Sequence, residues 1–138
     1  MIPYVDSSVL LRIVLGQREH LPEWETIERG VTSALTEVEC LRTLDRHRLR
    51  SLMTDEQIAD RREVLFRSLR DVDVVELDRM VLARAAQPFA TVLGTLDALH
   101  LATALLWRDR EAPDLVFATH DGALAIAARA HGMRVVGV

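Results

Sequence analysis

Short apolar runs alternate along this chain with longer stretches in which apolar residues return every three or four positions. That pattern predicts brief buried strands separated by helices. Ile2–Val5 is the first strand, and a helix follows over Ser8–Leu15, ending at Gly16. A second helix is predicted over Pro22–Arg29, stopped by Gly30. "VTSAL" (31–35) is a strand leading into a helix from about Thr36 to Arg50. "TDEQ" (54–57) has the Thr and Gln spacing of a capping box and opens a helix to about Arg70. "VDVVEL" (72–77) is the third strand, and the helix after it, Arg79–Ala86, is closed by Pro88. Thr95 caps the apolar helix "LDALHLATALLW". "DLVFAT" (114–119), "GALAIAARAHG" (122–132) and "RVVGV" (134–138) complete the alternation as strand, helix and strand.

Strands of four to six residues interleaved with helices predict a parallel sheet covered on both faces, a three-layer α/β/α sandwich. Such sheets take their ligands outside the carboxyl ends of the strands. At 138 residues, with no linker, repeat or low-complexity tract, residues 1–138 read as a single domain. A chain of this size buries roughly two-thirds of its unfolded surface, and a hydrophobic content of 49% supplies the core without staples. No run approaches the roughly 18 apolar residues of a membrane span, and no basic stretch precedes the first strand, so neither a membrane segment nor a secretory signal is expected. Cys40 is the lone cysteine, which excludes an internal disulfide framework and a cysteine-based zinc site and fits a reducing cytosol. All 17 basic residues are Arg. With no Lys, P-loop phosphate binding and Schiff-base chemistry are excluded.

Four acids stand where strands hand over to helices. Asp6 ends the first strand, Glu39 lies in the first turn after "VTSAL", Asp97 in the first turn of the Thr95 helix, and Asp121 just past "LVFAT". Each has a capping explanation. Asp6 and Asp121 precede helices, "TEVE" (36–39) is itself a capping box that would tie Glu39 to Thr36, and Asp97 suits a helix's positive end. Together they ask for more, because strand carboxyl ends and the following helix N-termini share one edge of a parallel sheet. Clustered carboxylates repel and hold protons unless a cation sits among them. An all-oxygen site with no Cys and no paired His suits Mg²⁺ or Mn²⁺ rather than zinc. Two such ions about 3.5–4 Å apart can clamp both oxygens of a phosphodiester displacement. The net charge of −4 equals the charge of these four acids; two divalent ions would neutralise it, so a mildly acidic chain remains open to RNA.

These motifs resemble those of the PIN-domain nucleases, in particular the VapC-type toxins of bacterial toxin–antitoxin pairs. "YVDSSVLLR" is similar to the family's opening strand and acid, "SALTEVECLRTL" (33–44) to its second acidic motif, "GTLDALHLATAL" (94–105) to its third, and "ATHDGAL" (118–124) to the fourth, where Thr119 and Asp121 fill a Thr-x-Asp pattern. They stand in family order over nearly the whole chain. The resemblance implies a PIN-like fold and an endoribonuclease using Mg²⁺ or Mn²⁺, with a water nucleophile activated by the metal and products bearing 5′-phosphate and 3′-hydroxyl ends. It also implies a homodimer and a cognate VapB-type antitoxin whose tail covers the site. It makes Asp6, Glu39 and Asp97 the main ligands, Asp121 the acid that completes or orients the second site, and Ser8 and Thr119 the hydroxyls that fix carboxylates or contact phosphate. Glu37 competes with Glu39, but the two point about 200° apart on a helix, so only one faces the site, and Glu39 is preferred.

Arg12 and Arg42 lie near proposed ligands and are candidates for substrate phosphate, with ordinary ion pairs as the alternative. "DRHRLR" (45–50) is a phosphate-contacting or antitoxin-facing patch, or a solvated face. His100 shares a helix face with Asp97 and is expected to be a packed or hydrogen-bonded histidine rather than a general base. His120 is expected to point away from the site. Trp24, Trp107 and Phe89 are too scattered for a base-stacking platform and belong to the core or a dimer face. Two other functions compete with a ribonuclease toxin. A receiver-like signalling domain needs a paired early acid and a late lysine, both missing here. A catalytically silent PIN-like module that binds RNA or a protein would not need all four acids.

Overall fold

The computed structural model describes residues 1–50 and 52–138. Five parallel strands, β1 (Pro3–Val5), β2 (Gly30–Ser33), β3 (Val72–Val75), β4 (Val116–Ala118) and β5 (Arg134–Val136), form one sheet in the order β3-β2-β1-β4-β5. Among the described residues six α-helices connect them: α1 (Ser7–Val14), α2 (Ala34–Leu49), α3 (Asp55–Arg70), α4 (Arg79–Ala85), α5 (Thr95–Arg110) and α6 (Gly122–Ala130). This is the expected parallel three-layer sandwich.

Side-chain alternation along the strands divides the core in two. Tyr4 is paired with Val31 and Phe117, and all three point to the layer that holds Leu101 of α5 and Leu124 of α6. Val5, paired with Ala118, points the other way, to Val9 and Val14 of α1, Leu44 of α2 and Leu65 of α3. Both layers are fully excluded from solvent at their centres, so β1 is buried on both faces. The strand order reverses between β1 and β4, which makes the gap beyond their carboxyl ends the topological switch point of the sheet.

Local signals explain most helix starts. Thr54 caps α3 through a complete capping box with Gln57, as the sequence predicts. Thr54→Ala is expected to lower stability by about 1 kcal/mol, measured as a shift of the urea midpoint at constant slope. Three expectations need correction. The helix predicted over Pro22–Arg29 is only a short 3₁₀ turn, Trp24–Thr26. A segment of that length is too short to repay helix nucleation, and it is held instead by Trp24 and Ile27 packing on the core. The helix after β2 starts two residues early, at Ala34 with Ser33 as its cap, so Thr36 lies inside α2, buried beside Thr32. Thr95 is the first residue of α5 rather than its cap; Gly94 takes that place and offers no side chain.

Candidate active site

Asp6 leaves β1 at the switch point and is 3% exposed. Its Oδ1 accepts from the Ser8 hydroxyl (2.6 Å) and the Val9 amide (3.2 Å), and its Oδ2 accepts from the Thr119 hydroxyl (2.7 Å). The two hydroxyls are themselves oriented from the next loop. The Ser8 oxygen accepts the His120 amide, and the Thr119 oxygen accepts the Asp121 amide, each at 2.9 Å. Both hydroxyl protons therefore point at Asp6, an arrangement that serves an ionised carboxylate. Burial nevertheless pushes its pKa up, outweighing the hydrogen bonds from Ser8 and Thr119. Asp6 is the N-cap of α1 and Asp121 the N-cap of α6, where it accepts the Leu124 amide at 2.9 Å. The capping reading and the clustering reading thus hold together for both acids.

Glu39 is in the second turn of α2, and its partner is not Thr36. Its Oε1 lies 2.5 Å from Nε2 of His100, whose Nδ1 lies 2.8 Å from the Tyr4 hydroxyl. His100 and Tyr4 are both buried, so this file of three side chains runs from the core to the rim. Glu37 makes no comparable contact among the described residues, which favours Glu39 between the two. Asp97 is half-buried on the first turn of α5, with no hydrogen bond to its carboxylate among the described residues. Its pKa is raised by burial first and then by the charge of Asp121, with Asp6 and Glu39 adding to it. Asp97 therefore feels the charges of three acids from three other elements across a single rim. The same charges act on Cys40 behind them: burial, then Glu39 and Asp6, push its thiol up to about 12, so it is not a reactive thiolate.

The rest of the predicted set divides. Arg42 is exposed beside Glu39 on α2, with a loose 3.6 Å contact to Asp45. Arg12 is not at the rim: it sits in the last turn of α1, and its guanidinium donates to the Glu19 carbonyl at 2.7 Å. In the 45–50 run, Arg48 pairs with Asp45 at 2.8 Å on an exposed face, as a solvated helix would. His120 points away from the acids, as expected, with Nδ1 2.6 Å from the Gly137 carbonyl. Gly137 has φ +99°, and a Cβ there would fall 2.5 Å from the Thr119 carbonyl oxygen, so this close approach under the site loop requires glycine. His100 is visible in the sequence, but its task is not. Its position three residues after Asp97 puts both on one face of α5, yet only the fold brings Glu39 to that face.

The PIN-domain family model matches residues 4–130. The chain belongs to the PIN-domain family. Among its relatives, this PIN domain is similar to ribonuclease VapC35 of Mycobacterium tuberculosis, 33% identical over 96% of this chain and 94% of that protein. Its fold is shared with a chain of the VapBC2 structure from Rickettsia felis bound to a promoter DNA fragment, at TM-score 0.67, 9% identity and coverage of 99% and 98%. It is also shared with a chain of a toxin–antitoxin complex from Klebsiella pneumoniae, at TM-score 0.65, 20% identity and coverage of 97% and 95%. No helix of this PIN domain, among the described residues, is long and apolar enough to cross a membrane.

The donor chemistry of the rim suits a hard divalent cation. The acids offer oxygen only, and Asp97 has no hydrogen bond to its carboxylate among the described residues. Asp97 and Asp6 both hold their protons more tightly than ordinary carboxylates because burial disfavours their charge, with Asp121, Asp6 and Glu39 adding to the effect on Asp97. The ligands are not closed into a ready-made cage: among the described residues no three His, Cys, Asp or Glu side chains are grouped so as to hold an ion as they stand.

Proposed function

We propose that this PIN domain is a divalent-metal-dependent endoribonuclease, the toxin of a VapBC-type pair, with Asp6, Glu39, Asp97 and Asp121 as its working acids. The observation that carries the reading is the approach of these carboxylates at the β1/β4 switch point, where Asp97 feels the charges of Asp121, Asp6 and Glu39. Asp6 is the fixed member, clasped by Ser8 and Thr119. Glu39 is aimed by His100, and Asp121 is held at the helix start. Asp97 is the free member. Mg²⁺ or Mn²⁺ would be held by these acids and, when bound, would supply a nucleophilic water at neutral pH and offset charge on the phosphoryl oxygens. The family relationship to a VapC ribonuclease, and the antitoxin present in the structural relative from Klebsiella, support an RNA substrate and a cognate antitoxin.

A homodimer accounts for the apolar surface on the far side of α4. Leu82 and Val92 are exposed there, lining a cavity of about 750 Å³ between α4 and the loop that leads to α5. An apolar surface of this kind marks an interaction site.

Purified protein incubated with mixed cellular RNA is expected to give discrete fragments with Mg²⁺ or Mn²⁺ and none with chelator or in Asp97→Asn. Equal behaviour of wild type and Asp97→Asn, in folded protein free of antitoxin, would leave the silent binding module as the better reading.

A further inference from the structure

Beside the acidic rim, a groove runs between α1 and α2. Leu11 of α1, Val38, Arg42 and Arg46 of α2 and Leu96 of α5 line a cavity of about 430 Å³ whose lining also includes Glu39. Val38 and Leu96 are 55% and 50% exposed, so apolar side chains lie open next to the most charged part of the molecule. On α2, Val38 and Arg42 are four residues apart, as are Arg42 and Arg46, which puts all three on one face. By helical rise Arg42 and Arg46 stand about 4.5 and 10.5 Å beyond Glu39 along the axis. Arg42 is 66% exposed with only its loose contact to Asp45, and Arg46 donates to the Thr43 hydroxyl. Asp45 is taken by Arg48 at 2.8 Å.

The rim repels phosphate, and the chain as a whole is acidic. A substrate that must bring a phosphodiester to four carboxylates needs positive charge alongside them, and this strip supplies it. A polynucleotide strand offers what the strip lacks: a phosphate per nucleotide for the guanidiniums, and a flat base for the apolar floor. Resting on the ribonuclease reading, we infer that the α1/α2 groove is a subsite for single-stranded RNA next to the cleaved bond. Arg42 and Arg46 hold its phosphates, and Val38 and Leu96 carry a base face. The paired guanidiniums favour this polyanion over a protein segment as occupant.

The test compares wild type with Arg42→Gln/Arg46→Gln and with Arg42→Lys/Arg46→Lys, all full-length and checked for folding by circular dichroism. Cleavage of a fluorescent single-stranded ribo-oligonucleotide gives KM and kcat, and its binding to the same proteins in the Asp97→Asn background is followed by anisotropy between low and moderate salt. The Gln pair is expected to raise KM about tenfold with little change in kcat, and to flatten the log K against log salt slope by about 1.4, the loss of two single-strand phosphate contacts. The Lys pair should keep the slope. Val38→Ser should weaken binding without altering the slope, because it removes base contact and not charge. Unchanged KM and slope in the Gln pair, with RNA still cut, overturns the subsite alone. If that pair instead releases a bound antitoxin chain while RNA kinetics stay the same, the groove is a protein-docking face and the subsite is likewise overturned. If wild type cuts no RNA at all, the ribonuclease reading fails and takes the subsite with it.

Discussion

Asp97→Asn is expected to abolish RNA cleavage and, in metal-free buffer, to raise the melting temperature. The loss of activity should be at least about 10²–10³-fold, as when a preorganised charge-stabilising group is removed. The gain in stability follows from the carboxylate's surroundings. Burial raises the pKa of Asp97, and the charges of Asp121, Asp6 and Glu39 raise it further, so its ionised form is unfavourable in the folded chain. Asn keeps the shape and drops the charge. The pH dependence has a definite sign. Asp6 and Asp97 both bind protons more tightly folded than unfolded. Their contribution is therefore most favourable below the unfolded carboxylate pKa and is lost as pH rises through the raised folded values. Thermal scans in chelator should show that decline in wild type and a weaker one in Asp97→Asn, and added Mg²⁺ should restore the wild type selectively. A variant that loses both activity and melting temperature would mark Asp97 as a structural residue of α5.

The second large effect is expected at His100. His100→Ala removes the partner of Glu39 and of the Tyr4 hydroxyl at once. The buried Tyr4 hydroxyl loses its bond, at about 1–3 kcal/mol, the partly exposed Glu39 loses less, and the cavity adds to this. Activity and metal affinity should fall about 10–100-fold, the usual effect of losing a group that orients a ligand. His100→Gln, whose amide can still donate towards Glu39, should recover part of the metal affinity. Tyr4→Phe should cost stability with a smaller effect on cleavage, being one bond further from the rim. Urea unfolding measures the first quantity, and Mn²⁺ titration followed by electron paramagnetic resonance the second. An unchanged Mn²⁺ midpoint in His100→Ala would reduce the histidine to packing.

Much of this molecule is legible in its sequence because its signals are local. Strand and helix periods give the α/β order, Thr54 and Gln57 announce α3, and Asp6 and Asp121 sit where their caps require. Errors arise where local signals compete. "TEVE" has the spacing of a capping box, but Ser33 at the end of β2 starts the helix first. Thr95 has a capping side chain, yet the backbone turns at Gly94. Pro22–Arg29 has helical composition without the length to use it. Arg12 is near Asp6 in sequence, but a turn of helix carries it to the Glu19 carbonyl. The Glu39–His100–Tyr4 file has no local signal, since its members come from α2, α5 and β1 and meet only when both core layers have closed.

That dependence on distant parts sets a clock. The hydrogen bond from Thr119 to Asp6 joins positions 113 residues apart, and the one from His100 to Glu39 spans 61. β1 is central in the sheet but waits for β4 to pair on its second edge. At a synthesis rate of about 5–20 residues per second, roughly 6–23 s separate the making of Asp6 from that of Asp121, and throughout that interval the rim is incomplete. If the four acids work as proposed, a nascent chain lacks the full set, and with it activity towards the RNA of the ribosome making it, until the β4–α6 segment docks.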